Sequence, residues 1–156
     1  MKMTKMILIA SLALGLTNCS SDANLDTEKP VITLLEPEDH ESFKPGSEIH
    51  LEGLITDNVE LSNYKVEIHS AEDGHSHAKT SQENFFQYEE TFQIPANQRL
   101  HEFHHHIDIP LVGSNALPFT EGHYHLGIFA LDKAGNQAQI FVEIYIGEDA
   151  EEHHHG

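Results

Sequence analysis

From residue 31 onward the apolar residues come in short bursts at every second position, separated by polar turns. Strand side chains alternate between two faces, so each burst predicts a half-buried strand. Val31 to Leu35 is an aliphatic run closed by Glu36-Pro37, and a Pro-Gly turn follows within Ser42 to Gly46. Ile49, Leu51 and Gly53 then alternate with His50 and Glu52 until Asp57-Asn58 breaks the pattern. Leu61 to His69 places Tyr64, Val66 and Ile68 on one face and Lys65, Glu67 and His69 on the other. Phe85 to Ile94 is a fourth strand, in which Glu90 shares the apolar parity and predicts a twist, a bulge or an edge. Phe103 to Ile109 puts Phe103, His105, Ile107 and Ile109 inward, and His104, His106 and Asp108 outward. Gly122 to Leu131 turns Tyr124, Leu126, Ile128 and Ala130 inward, and the Asp132 to Asn136 turn leads into Gln137 to Ile146. No helical period of useful length occurs in this region. Seven short strands with polar turns predict an all-β sandwich.

The first eighteen residues differ in kind. Lys2 and Lys5 precede a nearly unbroken apolar run from Met6 to Leu16. A basic start and a short apolar stretch predict a secretory signal, since the run is too short to span a bilayer as a helix. Leu16-Thr17-Asn18-Cys19 resembles the lipobox of bacterial lipoproteins, which implies cleavage before Cys19 and acylation of its thiol. Cys19 is the chain's one cysteine, so no internal disulfide forms. The expected organisation is a lipoprotein signal peptide over 1–18, a flexible tether over 19–29, a sandwich domain over 30–147 and an acidic, histidine-containing tail over 148–156. Without Lys2 and Lys5, the chain from Cys19 keeps 6 basic residues against 26 acidic ones, a formal charge of −20. Such a field repels nucleic acid and anionic lipid and attracts cations, so membrane attachment would be through the acyl chains alone.

The candidate chemistry lies in the histidines, 14 in all. His69, His75 and His77 fall within nine residues that also hold Glu72 and Asp73, and His123 and His125 form a second pair. The last two predicted strands resemble the final hairpin of bacterial Ig-like modules. By that resemblance the sandwich is Ig-like and Tyr124 is a tyrosine corner, although an ordinary core tyrosine fits the same fold, with Asp132, Gly135 and Asn136 shaping the turn. In an Ig-like order the third and sixth strands are antiparallel neighbours, which brings His69 near His123 and His125, with His75 and His77 leaving from the same end. Neutral imidazole nitrogens bind zinc or copper at close to 2.0 Å. Glu72 and Asp73 could ligate directly or orient a ring. His104 and His106 are additional candidates on the fifth strand, while His40 and His50 read as surface residues. His153 to His155 could bind metal without any folded site.

Leu54-Ile55-Thr56-Asp57-Asn58, Val66-Glu67-Ile68-His69, Asp73-Gly74-His75-Ser76-His77 and Gly122-His123-Tyr124-His125 with Asp132-Lys133-Ala134-Gly135-Asn136 together resemble one family. It is the Bacteroidota lipoprotein family catalogued as domain of unknown function 4625, and the resemblance covers about residues 30 to 146. It implies an exported, lipidated Ig-like domain in the outer membrane, with the side it faces left open, and supplies no activity. The sequence-level expectation is therefore a lipid-anchored protein that sequesters or delivers zinc or copper, with an outer-membrane metal importer or surface partner. The competing expectation is an Ig-like adhesion or interaction module without a metal role. A histidine-based pH sensor is a third. No nucleophile arrangement, phosphate loop or cofactor motif points to an enzyme.

Overall fold

The computed structural model describes residues 25–71 and 84–148. Among them are eight strands: β1 (Val31–Glu36), β2 (Glu41–Phe43), β3 (Glu48–Thr56), β4 (Leu61–Ser70), β5 (Tyr88–Gln93), β6 (Leu100–Asp108), β7 (Gly122–Asp132) and β8 (Gln137–Ile146). They form a three-stranded sheet, β1-β3-β6, and a five-stranded sheet, β2-β8-β7-β4-β5. All pairings are antiparallel except β2 with β8, which is parallel. The first, third and sixth strands in one layer and the remaining five in the other resemble an Ig-like sandwich. No helix among the described residues is long and apolar enough to cross a membrane.

Alternation explains the core. Ile49, Leu51 and Ile55 of β3 are fully buried, as are Tyr124, Leu126 and Ile128 of β7, all in one apolar cluster. The register of β4 slips between Leu61 and Asn63, so Leu61 and Tyr64, three residues apart, both turn inward. One extra residue in a strand has this effect on side-chain parity.

Two expectations need correction. The described strands number eight, not seven, because Glu41–Phe43 is a short strand and not part of the turn. The turn proper is at Gly46, whose φ of +86° suits glycine, and an added Cβ would lie 2.8 Å from Leu111 Cδ2. The fourth predicted strand begins at Tyr88, not Phe85. Residues 84–87 are tied instead to the β7 corner: the Asn84 amide donates to Thr120 Oγ1 at 2.9 Å and the Phe86 amide to the Tyr124 hydroxyl at 3.3 Å. Glu90 sits on β5, which is an edge strand, so its carboxylate stays exposed.

The Tyr124 hydroxyl donates to the Thr120 carbonyl at 2.6 Å, the backbone tie of a tyrosine corner. Tyr124→Phe is expected to lower unfolding free energy by about 1–3 kcal/mol, because two backbone groups lose their buried partner. A urea midpoint unchanged from wild type would contradict this.

Candidate metal centre

The β3–β6 ladder sets the site. Ile49, Leu51 and Gly53 point into the core, so Glu48, His50 and Glu52 project outward. On β6, Glu102, His104, His106 and Asp108 project the same way. The register places Glu48 opposite Asp108, His50 opposite His106 and Glu52 opposite His104. The outer face of the small sheet thus carries a strip of carboxylates and imidazoles.

Three of these side chains converge. His50 Nε2 lies 3.0 Å from Glu48 Oε1, and His106 Nδ1 lies 3.3 Å from Glu48 Oε2. The two rings meet edge-on, centroids 4.4 Å apart. One ligand atom from each of the three falls within 4.8 Å of the others, and all three residues are exposed. Ligand atoms on a zinc tetrahedron are separated by about 3.3 Å, given bonds of about 2.0–2.1 Å. The N–O distances already match, and exposed side chains can close the remaining gap by small rotations. The cluster is consistent with metal coordination. The hydrogen bond from His50 foremost holds the Glu48 carboxyl below its ordinary range, against desolvation, with the charge and hydrogen bond of His106 adding to the lowering. The carboxyl therefore stays ionised, as a ligand must be. Beside the cluster is a cleft of about 360 Å³, lined by Glu36, Glu38, Glu41, Glu48 and His50. Its four carboxylates favour the approach of a cation.

His104 extends the strip, its ring centroid 4.9 Å from that of His106. His105 points inward. Its Nε2 lies 2.6 Å from the Tyr64 hydroxyl and its ring stacks on Phe92 at 4.0 Å. Burial foremost pushes the His105 pKa down from 6.5, with Glu90 opposing and His101 and His104 adding; burial also lowers that of His101. The unfolded chain therefore takes up these protons at a higher pH than the folded one. Stability from these two rings is full above the unfolded value of about 6.5 and declines as pH falls toward the lower folded values. The urea midpoint should drop between about pH 7.5 and 5, and the drop should shrink in His105→Leu. An equal drop in that variant would contradict the assignment.

Of the other predicted histidines, His69, His123 and His125 lie on the outer face of the large sheet. β4 and β7 are antiparallel neighbours and His69 sits opposite His125, ring centroids 5.6 Å apart. His69 Nδ1 lies 3.1 Å from the Ser70 carbonyl oxygen, and its Nε2 is 3.9 Å from Glu67. His123 turns to Glu143, its Nδ1 2.9 Å from Oε1, and His40 approaches the same oxygen at 3.1 Å. The two groups with convergent ligand atoms among the described residues include none of His69, His123 and His125. His75, His77, Glu72, Asp73, Cys19 and His153 to His155 lie outside the described residues.

Sequence reasoning passed over Glu48 and His50. The usable signal was parity: outward His50 and outward His106 sit on strands that an Ig-like order makes neighbours.

Among solved structures, the chain is similar to OgpA from Akkermansia muciniphila at 14% identity and TM-score 0.48, covering 78% of this chain and 30% of that one. The fibronectin(III)-like modules of Clostridium thermocellum CbhA are similar at 15% identity and TM-score 0.42, with 75% and 96% covered. Murine CRIg is similar at 8% identity and TM-score 0.33, with 77% and 98% covered. No curated protein matches. The family model described as Domain of unknown function (DUF4625) matches residues 17–147, and the chain belongs to that family.

Proposed function

We propose that this is an exported, lipid-anchored protein that binds a transition-metal ion, zinc or copper, through Glu48, His50 and His106, and sequesters it or passes it to a partner. The observation that carries the reading is the convergence of two imidazoles and one ionised carboxylate at the mouth of an acidic cleft. Three protein ligands leave a coordination position open, which suits an ion that is handed on. The site's exposure supports exchange with a partner, such as a metal importer in the outer membrane. The basic start, the apolar run and Leu16-Thr17-Asn18-Cys19 support export and acylation at Cys19.

Calorimetric titration of the full chain with zinc and copper tests the metal role. His50→Ala/His106→Ala should remove the tight one-to-one step, while His69→Ala/His125→Ala should keep it. Retention of that step by the first pair would overturn the site.

A further inference from the structure

A second, chemically different group of ligands lies at the opposite end of the sandwich, where β3 and β7 finish. Asp26 precedes β1, Asp57 follows β3 and Asp132 ends β7. Far apart in sequence, they each bring one carboxylate oxygen within 4.8 Å of the other two.

Backbone and side-chain amide donors hold all three carboxylates. Asp132 Oδ1 accepts the amides of Gly135 and Asn136 at 2.6 and 2.7 Å, and its Oδ2 accepts Asn136 Nδ2 at 2.7 Å. Asp57 Oδ2 accepts the amides of Val59 and Glu60 at 2.9 and 2.8 Å. Asp26 Oδ1 accepts the Glu28 amide at 3.1 Å and Asn58 Nδ2 at 3.0 Å. Asp57 Oδ1 is the exception. It is screened from solvent and has no hydrogen-bond partner, the sole such side-chain oxygen among the described residues. A buried, unpaired carboxylate oxygen beside two further carboxylates is unfavourable unless something positive meets it. No lysine or arginine ion-pairs with any of the three among the described residues.

We propose that Asp26, Asp57 and Asp132 bind a calcium ion. The donors are all oxygens, which select a hard cation over zinc or copper. Asn58 Nδ2 and Asn136 Nδ2 hold the Asp26 and Asp132 carboxylates in place. Because Asp26 belongs to the segment leading into β1 and its carbonyl already accepts Asn136 Nδ2 at 3.1 Å, the ion fastens that segment to the end of the sandwich.

The test is calcium titration and thermal unfolding of the full chain, with Asp26→Asn and Asp57→Asn as variants. One calcium per chain is expected, with a dissociation constant on the order of 10⁻⁴ to 10⁻³ M as in extracellular modules, and a raised Tm. Each variant should lose at least about tenfold in affinity, as removal of a charged ligand implies. His50→Ala/His106→Ala should bind calcium as wild type does, which separates this site from the histidine strip. Asp26 lies outside every strand, so its variant keeps the core, and circular dichroism in chelator confirms its fold. Absence of any calcium-dependent heat or Tm shift at about 10 mM, well above the expected constant, would overturn the proposal. So would wild-type affinity in both variants.

Discussion

His50→Ala/His106→Ala is expected to weaken the tightest zinc-binding step at least about a hundredfold, since loss of a supporting residue alone commonly costs ten- to a hundredfold. Two of three ligands disappear, and the remaining Glu48 loses the hydrogen bond that holds its carboxyl below the ordinary range. The chain retains twelve other histidines of its 14, so weak zinc uptake will persist. The readout is therefore the disappearance of a stoichiometric step, not of all binding.

Tyr64→Ala is expected to have the largest effect on stability, about 3–5 kcal/mol, the usual loss for an aromatic cut to alanine in a core. Tyr64 is 2% exposed, stacks on Phe92 at 5.0 Å and packs against Phe103 at 5.4 Å. It stands on β4 of the large sheet, and its hydroxyl meets His105 on β6 of the small one at 2.6 Å. Burial, with Glu90 adding, pushes the phenol up to about 12, so it stays neutral. Since single domains hold only about 5–15 kcal/mol in total, the alanine variant should be close to unfolding at room temperature. Tyr64→Phe isolates the inter-sheet hydrogen bond and should cost about 1 kcal/mol. Equal urea midpoints for Tyr64→Ala and wild type would show that the layers are not joined there.

The sandwich was legible because alternation is a strong signal wherever a strand buries one whole face, as in β3, β4, β6 and β7. β2 carries a single buried apolar residue, Phe43, and three residues cannot display a period of two. Residues 85–87 look like strand because Phe85 and Phe86 are apolar, yet the Asn84 and Phe86 amides go to Thr120 and Tyr124. For the metal site, histidine density within the sequence drew attention to the loop after β4. Glu48, His50 and His106 are 58 residues apart end to end, and only the β3–β6 register brings them together. His123 shows the converse: its place on the outer face was readable, but its partner, Glu143, comes from β8. The acidic group at the other end was hidden for the same reason, because it needs three chain crossings at one end of the sheets to be seen together.

Crystals of the full chain grown with zinc, measured at the zinc absorption edge, decide whether Glu48, His50 and His106 hold the ion. An anomalous peak is expected about 2.0–2.2 Å from His50 Nε2, His106 Nδ1 and a Glu48 carboxylate oxygen. A single strong peak among His69, His123 and His125, with none between β3 and β6, would contradict it.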